Sequence, residues 1–140
     1  MEQNLARLIK KTSNQMTRKF DKFAREFDLT SVQISVIDYM SQNPTIEIQQ
    51  RNVEHEFNIQ RSTATVLLQK MEQKDLIIRT TSKDDARQKT LNLTDKAKAL
   101  AVDISAYSDR QQARITQQFS TTEVETFKNI LEYITEINKE

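Results

Sequence analysis

The chain has 140 residues, 29% of them charged and 36% hydrophobic, a net charge of +1, and neither cysteine nor glycine. That length suits one domain of roughly 100 to 200 residues, and the lack of cysteine excludes disulfides, thiolate metal sites and thiol redox sensing. No apolar run approaches the ~18 residues of a membrane span and no charged-then-apolar leader is present, so a cytoplasmic protein without membrane contact is expected.

Residues 4–27 carry Leu5, Leu8, Ile9, Met16, Phe20, Phe23, Ala24 and Phe27 at helical spacing with basic residues between them, which predicts a long first helix. Leu29 and Thr30 break the pattern. Thr30-Ser31-Val32-Gln33 is a capping box, and it opens a second helix with Ile34, Val36, Ile37 and Met40 that Asn43-Pro44 stops. Thr45-Ile46-Glu47-Ile48 is short and β-branched, which predicts a stub of strand. A short helix over about Gln50–Phe57, burying Val53 and Phe57, then leads through Asn58-Ile59-Gln60 into the stretch Arg61–Lys74.

In that stretch Ala64, Leu67, Leu68 and Met71 recur at i, i+3, i+4 and i+7, the spacing of one buried helical stripe. At about 100° per residue, Ser62, Thr65, Val66 and Gln69 turn away from the stripe, with Thr63 and Lys70 on its flank. Short hydroxyls and an amide can hydrogen-bond base edges, and they are small enough to let a helix enter a major groove. The same stripe would equally fit an amphipathic surface helix. Helix, tight turn, helix is the layout of a helix-turn-helix, whose turn ordinarily uses glycine. Asn58 and, at the far end of the second helix, Asp75 are the residues here best able to adopt positive φ.

Leu76–Thr81 is β-rich, and Thr90-Leu91-Asn92-Leu93 alternates apolar and polar, with the polar loop Ser82–Lys89 between them: a hairpin wing. Thr94 caps a long helix whose inward positions are Ala97, Leu100, Ala101, Ile104, Tyr107, Ile115 and Phe119. Ser120-Thr121-Thr122-Glu123 is a further capping box, starting a last helix with Val124, Phe127, Ile130, Leu131, Ile134 and Ile137.

Charge is uneven along the chain. Residues 51–98 hold ten Lys/Arg against seven Asp/Glu, and residues 99–140 hold four against seven. A basic centre and an acidic tail fit a nucleic-acid-facing middle with a distal element facing elsewhere. Mean hydropathy of −0.70 is low for a self-sufficient globule and leaves burial for a subunit interface to complete. His55, the single histidine, sits between Glu54 and Glu56, but adjacent helical positions point apart and cannot converge on a metal. Asp84-Asp85 lacks a burying environment to tune a carboxylate pair, and a glycine-rich phosphate loop is impossible. No enzyme and no cofactor is expected.

The order helix, helix, stub, helix, reading helix, wing, long helix, last helix resembles the MarR family of winged-helix transcriptional regulators. The resemblance is most specific over Asp85-Ala86-Arg87-Gln88-Lys89-Thr90-Leu91-Asn92-Leu93-Thr94, which is similar to the family's wing pattern of Asp-x-Arg followed by Leu-x-Leu-Thr. Leu29-Thr30 with Gln33, Glu56–Ile59 and Leu76-Ile77 support it. Departures are Asn58 and Asp75 where glycine is common, Gln60 where a serine cap is common, and Gln49 where a capping hydroxyl is frequent.

The resemblance implies a mainly α fold with a small β-hairpin wing, a winged helix-turn-helix with long N- and C-terminal dimerisation helices. Residues 30–94 would form the DNA-binding lobe, and 1–29 and 95–140 the dimerisation helices of a homodimer. It also implies that Arg87 enters a minor groove, where a flat guanidinium fits a narrow, electronegative channel, and that Asp85 orients it. The expected DNA contacts are Arg61, Ser62, Thr63, Thr65, Gln69, Lys70, Lys83, Arg87 and Lys89. Relatives often bind a small aromatic or amphipathic effector, for which Phe20, Phe23, Phe27 and Tyr39 are candidate lining residues, although core packing also explains their spacing.

The expected function is a homodimeric repressor on a pseudo-palindromic site in double-stranded DNA, released by a small ligand. Two rivals differ in class: a winged-helix adaptor that contacts protein, and a small-molecule carrier with a vestigial DNA lobe. Salt-sensitive affinity for DNA separates the first reading from both.

Overall fold

Three helices of this chain end in turns that need a left-handed residue, and short polar side chains take the place of the missing glycines. In the computed structural model, which describes residues 3–140, α1 (Leu5–Arg25) starts on Asn4, whose Oδ1 accepts the Arg7 N–H at 3.0 Å. It closes through Asp28 at φ 57°, with Leu29 N–H donating to the Ala24 carbonyl and Asp28 N–H to the Arg25 carbonyl, both at 3.1 Å. That bond pair is a Schellman turn. The same pair closes α3 (Gln50–Phe57) through Asn58 at φ 50° and α4 (Arg61–Gln73) through Asp75 at φ 60°. Asn58 and Asp75 meet the expectation. Asp28 was not foreseen, and its turn ends α1 at Arg25, short of residue 27.

The Thr30 capping box forms as expected: Thr30 Oγ1 accepts the Gln33 N–H at 3.2 Å and Gln33 Oε1 accepts the Thr30 N–H at 3.0 Å. It starts α2 (Ser31–Gln42), whose Ile34, Val36, Ile37 and Met40 are buried. The strand expected over residues 45–48 does not form. A turn through Pro44 returns the Ile46 N–H to Asn43, and only Glu47–Gln49 remain before α3, too few for a ladder. One sheet-like bond survives, Leu91 N–H to the Ile48 carbonyl at 2.8 Å.

The wing is the antiparallel pair β1 (Ile77–Thr81) and β2 (Lys89–Leu93), in register from Ile77 opposite Leu93 to Thr81 opposite Lys89. Thr94 then caps α5 (Asp95–Thr116) by accepting the Ala97 N–H at 3.1 Å. Its hydroxyl also donates to the Asp75 carbonyl at 2.7 Å, tying the wing's exit to the end of α4. Lys74 Nζ donates to the Asp28 carbonyl at 2.8 Å and Lys96 Nζ to the Lys74 carbonyl at 2.9 Å, so the α1–α2 corner and the start of α5 meet the end of α4.

The chain divides into two compact units, one running through Ala101 and one over Val102–Glu140. The first is built on Ile34, Ile37, Val53, Leu68, Met71, Leu76 and Ile77, all but fully buried. Phe57, expected inside, is half-buried, its ring edge-on to Tyr39 at 5.8 Å. Its helix α1 buries only Ala24, and Leu5 is 72% exposed.

The second unit pairs the distal part of α5 with α6 (Thr121–Ile137), whose capping box joins Ser120 and Glu123 at 3.1 and 2.9 Å. Helix α6 buries no residue. Ile115 and Phe119, expected on the inward side, are 43% and 53% exposed; Ile115 lies in the last turn of α5, and Phe119 falls in the turn beyond its end at Thr116. Together with Val124, Phe127 and Ile130 they line an open apolar groove of about 540 Å³.

Candidate nucleic-acid interface

Helix α4 sorts its side chains as the spacing requires. Ala64, Leu67, Leu68 and Met71 are its buried residues, and Arg61, Ser62, Thr63, Val66, Gln69 and Lys70 are exposed. Gln60 makes no side-chain cap bond, so the first-turn N–H groups of α4 have no side-chain partner there. Thr65 differs from its neighbours. It is half-buried, and its hydroxyl donates to the Arg61 carbonyl and accepts Gln50 Nε2, both at 2.9 Å. Gln50 Nε2 also reaches the Arg61 carbonyl at 3.3 Å. The first residue of α3 therefore grips the first turn of α4, and the lobe itself takes up the Thr65 hydroxyl.

On the wing, Asp85 Oδ1 accepts the Arg87 backbone N–H at 3.0 Å and Arg87 Nε at 3.3 Å. The Arg87 side chain is 91% exposed and that of Asp85 35% exposed, so the arginine stands in solvent from a partly sheltered carboxylate. A loop of this kind is held from within by Ser82 N–H to the Gln88 carbonyl and Gln88 N–H to the Asp85 carbonyl, both at 3.0 Å. Lys83 and Lys89 are exposed beside it, Lys89 Nζ lying 3.5 Å from Thr81 Oγ1. At the hairpin's base Arg79 Nε pairs with Glu72 of α4 at 2.7 Å.

Sequence reasoning missed Glu47. From the connection before α3 its Oε1 accepts the Thr90 hydroxyl at 2.5 Å and the Lys83 N–H at 3.1 Å. These bonds hold the Glu47 carboxyl below the usual carboxylate range: the Thr90 hydroxyl contributes most, then the Lys83 N–H, with the Ser82 hydroxyl and the Lys83 charge adding to them against some desolvation. Ser82 and Thr90 are buried at 6% and 8% exposure although both are polar. An expectation of buried polar residues flanking the wing loop would have pointed to a partner, but its position 43 residues upstream of Thr90 has no local signature.

Of the candidate effector-lining residues, Phe20 stacks on Phe23 at 6.3 Å and Phe23 meets Phe27 edge-on at 5.2 Å. Tyr39 pairs with Phe57, and burial followed by the Glu56 charge pushes its phenol above the ordinary value. His55 is exposed, and among the described residues no group of His, Asp and Glu is placed to hold a metal ion.

A sequence profile of the MarR family matches residues 27–88, from the turn after α1 through the wing loop. The crystal structure of the transcription regulator MarR from Oenococcus oeni PSU-1 superposes with a TM-score of 0.90 and is 47% identical, covering 95% of this chain and 99% of that one. The chain belongs to the MarR family. It is a winged-helix, DNA-binding transcriptional regulator rather than an enzyme. The HTH-type transcriptional regulator SarZ of Staphylococcus aureus is 26% identical over 125 residues, 89% of this chain and 80% of SarZ. MepR of S. aureus, in a crystal structure of its DNA complex, shares the fold at a TM-score of 0.87 and 24% identity, covering 99% of this chain and all of that one. Within the MarR fold, α3 and α4 are the helix-turn-helix and β1–β2 the wing.

Proposed function

We propose that this MarR-family regulator acts as a homodimeric, cytoplasmic repressor that reads a pseudo-palindromic duplex with α4 and the wing of each protomer. Residues 30–94 supply the DNA lobe, and 1–29 with 95–140 the dimer helices. The observation that carries the reading is the Asp85–Arg87 pair, a solvent-exposed guanidinium held by a carboxylate at the tip of a hairpin whose lobe also exposes Arg61, Ser62, Thr63, Gln69 and Lys70. In this scheme α4 enters the major groove, Gln69 pairs with a base edge, Lys83 and Lys89 neutralise phosphates, and Arg87 enters the adjoining minor groove. Thr65 acts through Arg61, whose carbonyl it holds. The exposed apolar residues of α1 and α6 support a second copy as the surface that covers them.

An aromatic or amphipathic effector would act near Phe20, Phe23 and Tyr39. Footprinting on DNA upstream of the protein's own gene, followed by anisotropy at several salt concentrations, tests the function. A protected palindrome with salt-dependent affinity is expected. Salt-insensitive protein binding without DNA affinity would make the molecule an adaptor, and ligand binding without DNA affinity a carrier.

A further inference from the structure

An exposed hairpin has no fixed direction of its own, and an arginine at its tip finds a groove only if the hairpin's root is held relative to the reading helix. We propose that Glu47 is a positioning residue of the wing, acting at the loop end while the Arg79–Glu72 pair and the Thr94–Asp75 bond hold the lower hairpin to α4, and that with Gln50 it makes segment 47–50 a bracket that sets the spacing between wing loop and α4. This rests on the reading of the wing as a DNA contact.

The bracket has two arms. At one end Glu47 accepts the Thr90 hydroxyl and the Lys83 N–H, one from each side of the wing loop, and the next residue, Ile48, takes the Leu91 N–H at 2.8 Å. At the other end Gln50 bonds both Thr65 Oγ1 and the Arg61 carbonyl. Four residues of backbone thus connect the grip on the wing to the grip on α4. Among the described residues the buried polar ones are Gln33, Ser82 and Thr90, and the capping box accounts for Gln33. The other two flank the wing loop: the Thr90 hydroxyl donates to the Glu47 carboxylate, and the Ser82 hydroxyl accepts the Asp84 N–H at 3.3 Å within the loop.

Charge adds a second argument. A carboxylate beside a surface meant for a polyanion opposes binding, so the sign of its removal separates the two roles. If Glu47 only contributed charge, deleting it would tighten DNA binding. If it aims the wing, deleting it weakens binding.

The test measures affinity by anisotropy on the specific duplex, and melting temperature in parallel, for wild type, Glu47→Ala, Glu47→Gln, Thr90→Val, Thr90→Ser, Arg87→Ala and the double variant Glu47→Ala/Arg87→Ala. Glu47→Ala and Thr90→Val should each weaken binding about tenfold, the scale of a lost charge-assisted hydrogen bond. Glu47→Gln keeps an acceptor oxygen and should fall between it and wild type. Thr90→Ser restores the hydroxyl and should restore affinity. In the Glu47→Ala background, Arg87→Ala should add less than about a twofold loss, because a misdirected wing has little left to lose. Should Glu47→Ala fail to fold, Glu47→Gln and Thr90→Val carry the same comparison. Glu47→Ala or Thr90→Val binding at least as tightly as wild type, while Arg87→Ala binds weakly, overturns the positioning role. Full additivity in the double variant overturns it as well. Arg87→Ala with no effect at all instead removes the wing from the interface, and both readings fall together.

Discussion

Replacing Asp85 with alanine sets two effects on DNA affinity against each other. The carboxylate repels phosphate, but at ~10 Å in water that repulsion is about 0.4 kcal/mol, and physiological salt screens it to roughly 0.1 kcal/mol. Opposing it is orientation. Asp85 Oδ1 holds Arg87 through its backbone N–H at 3.0 Å and its Nε at 3.3 Å. A freed arginine regains up to about 2 kcal/mol of rotamer entropy, which must be surrendered on entering a groove. The pair is largely exposed and restrains only part of that freedom, so an orienting contribution of about 0.5 to 1 kcal/mol is expected.

Orientation exceeds repulsion, and Asp85→Ala should bind DNA about two- to fivefold more weakly even though the protein has lost a negative charge. Arg87→Lys, which keeps the charge but not the flat fork, should lose more, and most on a narrow A/T-rich flank. Lys83→Arg and Lys89→Arg should be nearly silent. Fluorescence anisotropy on two duplexes differing only in the flank measures all four variants. An Asp85→Ala protein that binds more tightly than wild type would refute the orienting role.

Leu68 is fully buried, so Leu68→Ala should cost about 2 to 5 kcal/mol of folding stability; exposed Gln69→Ala should instead cost about 1 to 3 kcal/mol on a specific site and leave melting unchanged, and equal effects on melting would show the faces of α4 to be reversed. Phe127, Ile130, Leu131 and Ile137 are exposed on α6, so truncation after Phe119 should abolish the dimer in equilibrium sedimentation; a stable truncated dimer would remove α6 from the interface. Asp28→Gly and Asp75→Gly relieve positive φ and should each raise stability by up to about 1 kcal/mol, read from urea midpoints, whereas a fall would show that those carboxylates have another role. Glu47 titrates below its ordinary value, so its contribution is complete at neutral pH and is lost as pH falls through the depressed folded value. Glu47→Gln should therefore flatten the acid limb of a stability–pH curve below the usual carboxylate range, and an unchanged limb would count against ionised Glu47 as the wing's anchor.

Much of this fold is readable from neighbours a few residues apart. Thr30 with Gln33, and Ser120 with Glu123, form boxes whose partners lie three positions away, and the α4 stripe closes every turn of the helix. Asn58 and Asp75 stand out as left-handed residues because each follows a helical stripe and precedes an apolar residue. Asp28 satisfies the same conditions before Leu29, but the apolar spacing continuing to Phe27 masked the end of α1. Residues 45–48 misled for the opposite reason: β-branched side chains favour extended backbone, but a strand needs a partner along its length, and Pro44 left room for a single bond.

By itself the sequence determined where the capped helices α2 and α6 start, which face of α4 is apolar, and that Asp85 and Arg87 lie two positions apart on a wing. Those properties depend on backbone sterics and on hydrogen bonds closed within one turn, which spacing encodes directly. Only the tertiary structure decided that Glu47 grips Thr90 and Lys83, that Gln50 takes up the Thr65 hydroxyl, and that Phe57 packs on Tyr39 instead of entering the core. Each of those contacts joins segments separated by 15 residues or more, such as Gln50 with Thr65. Polar groups so far apart have many possible partners in an extended chain, and only the burial of the apolar core selects one of them.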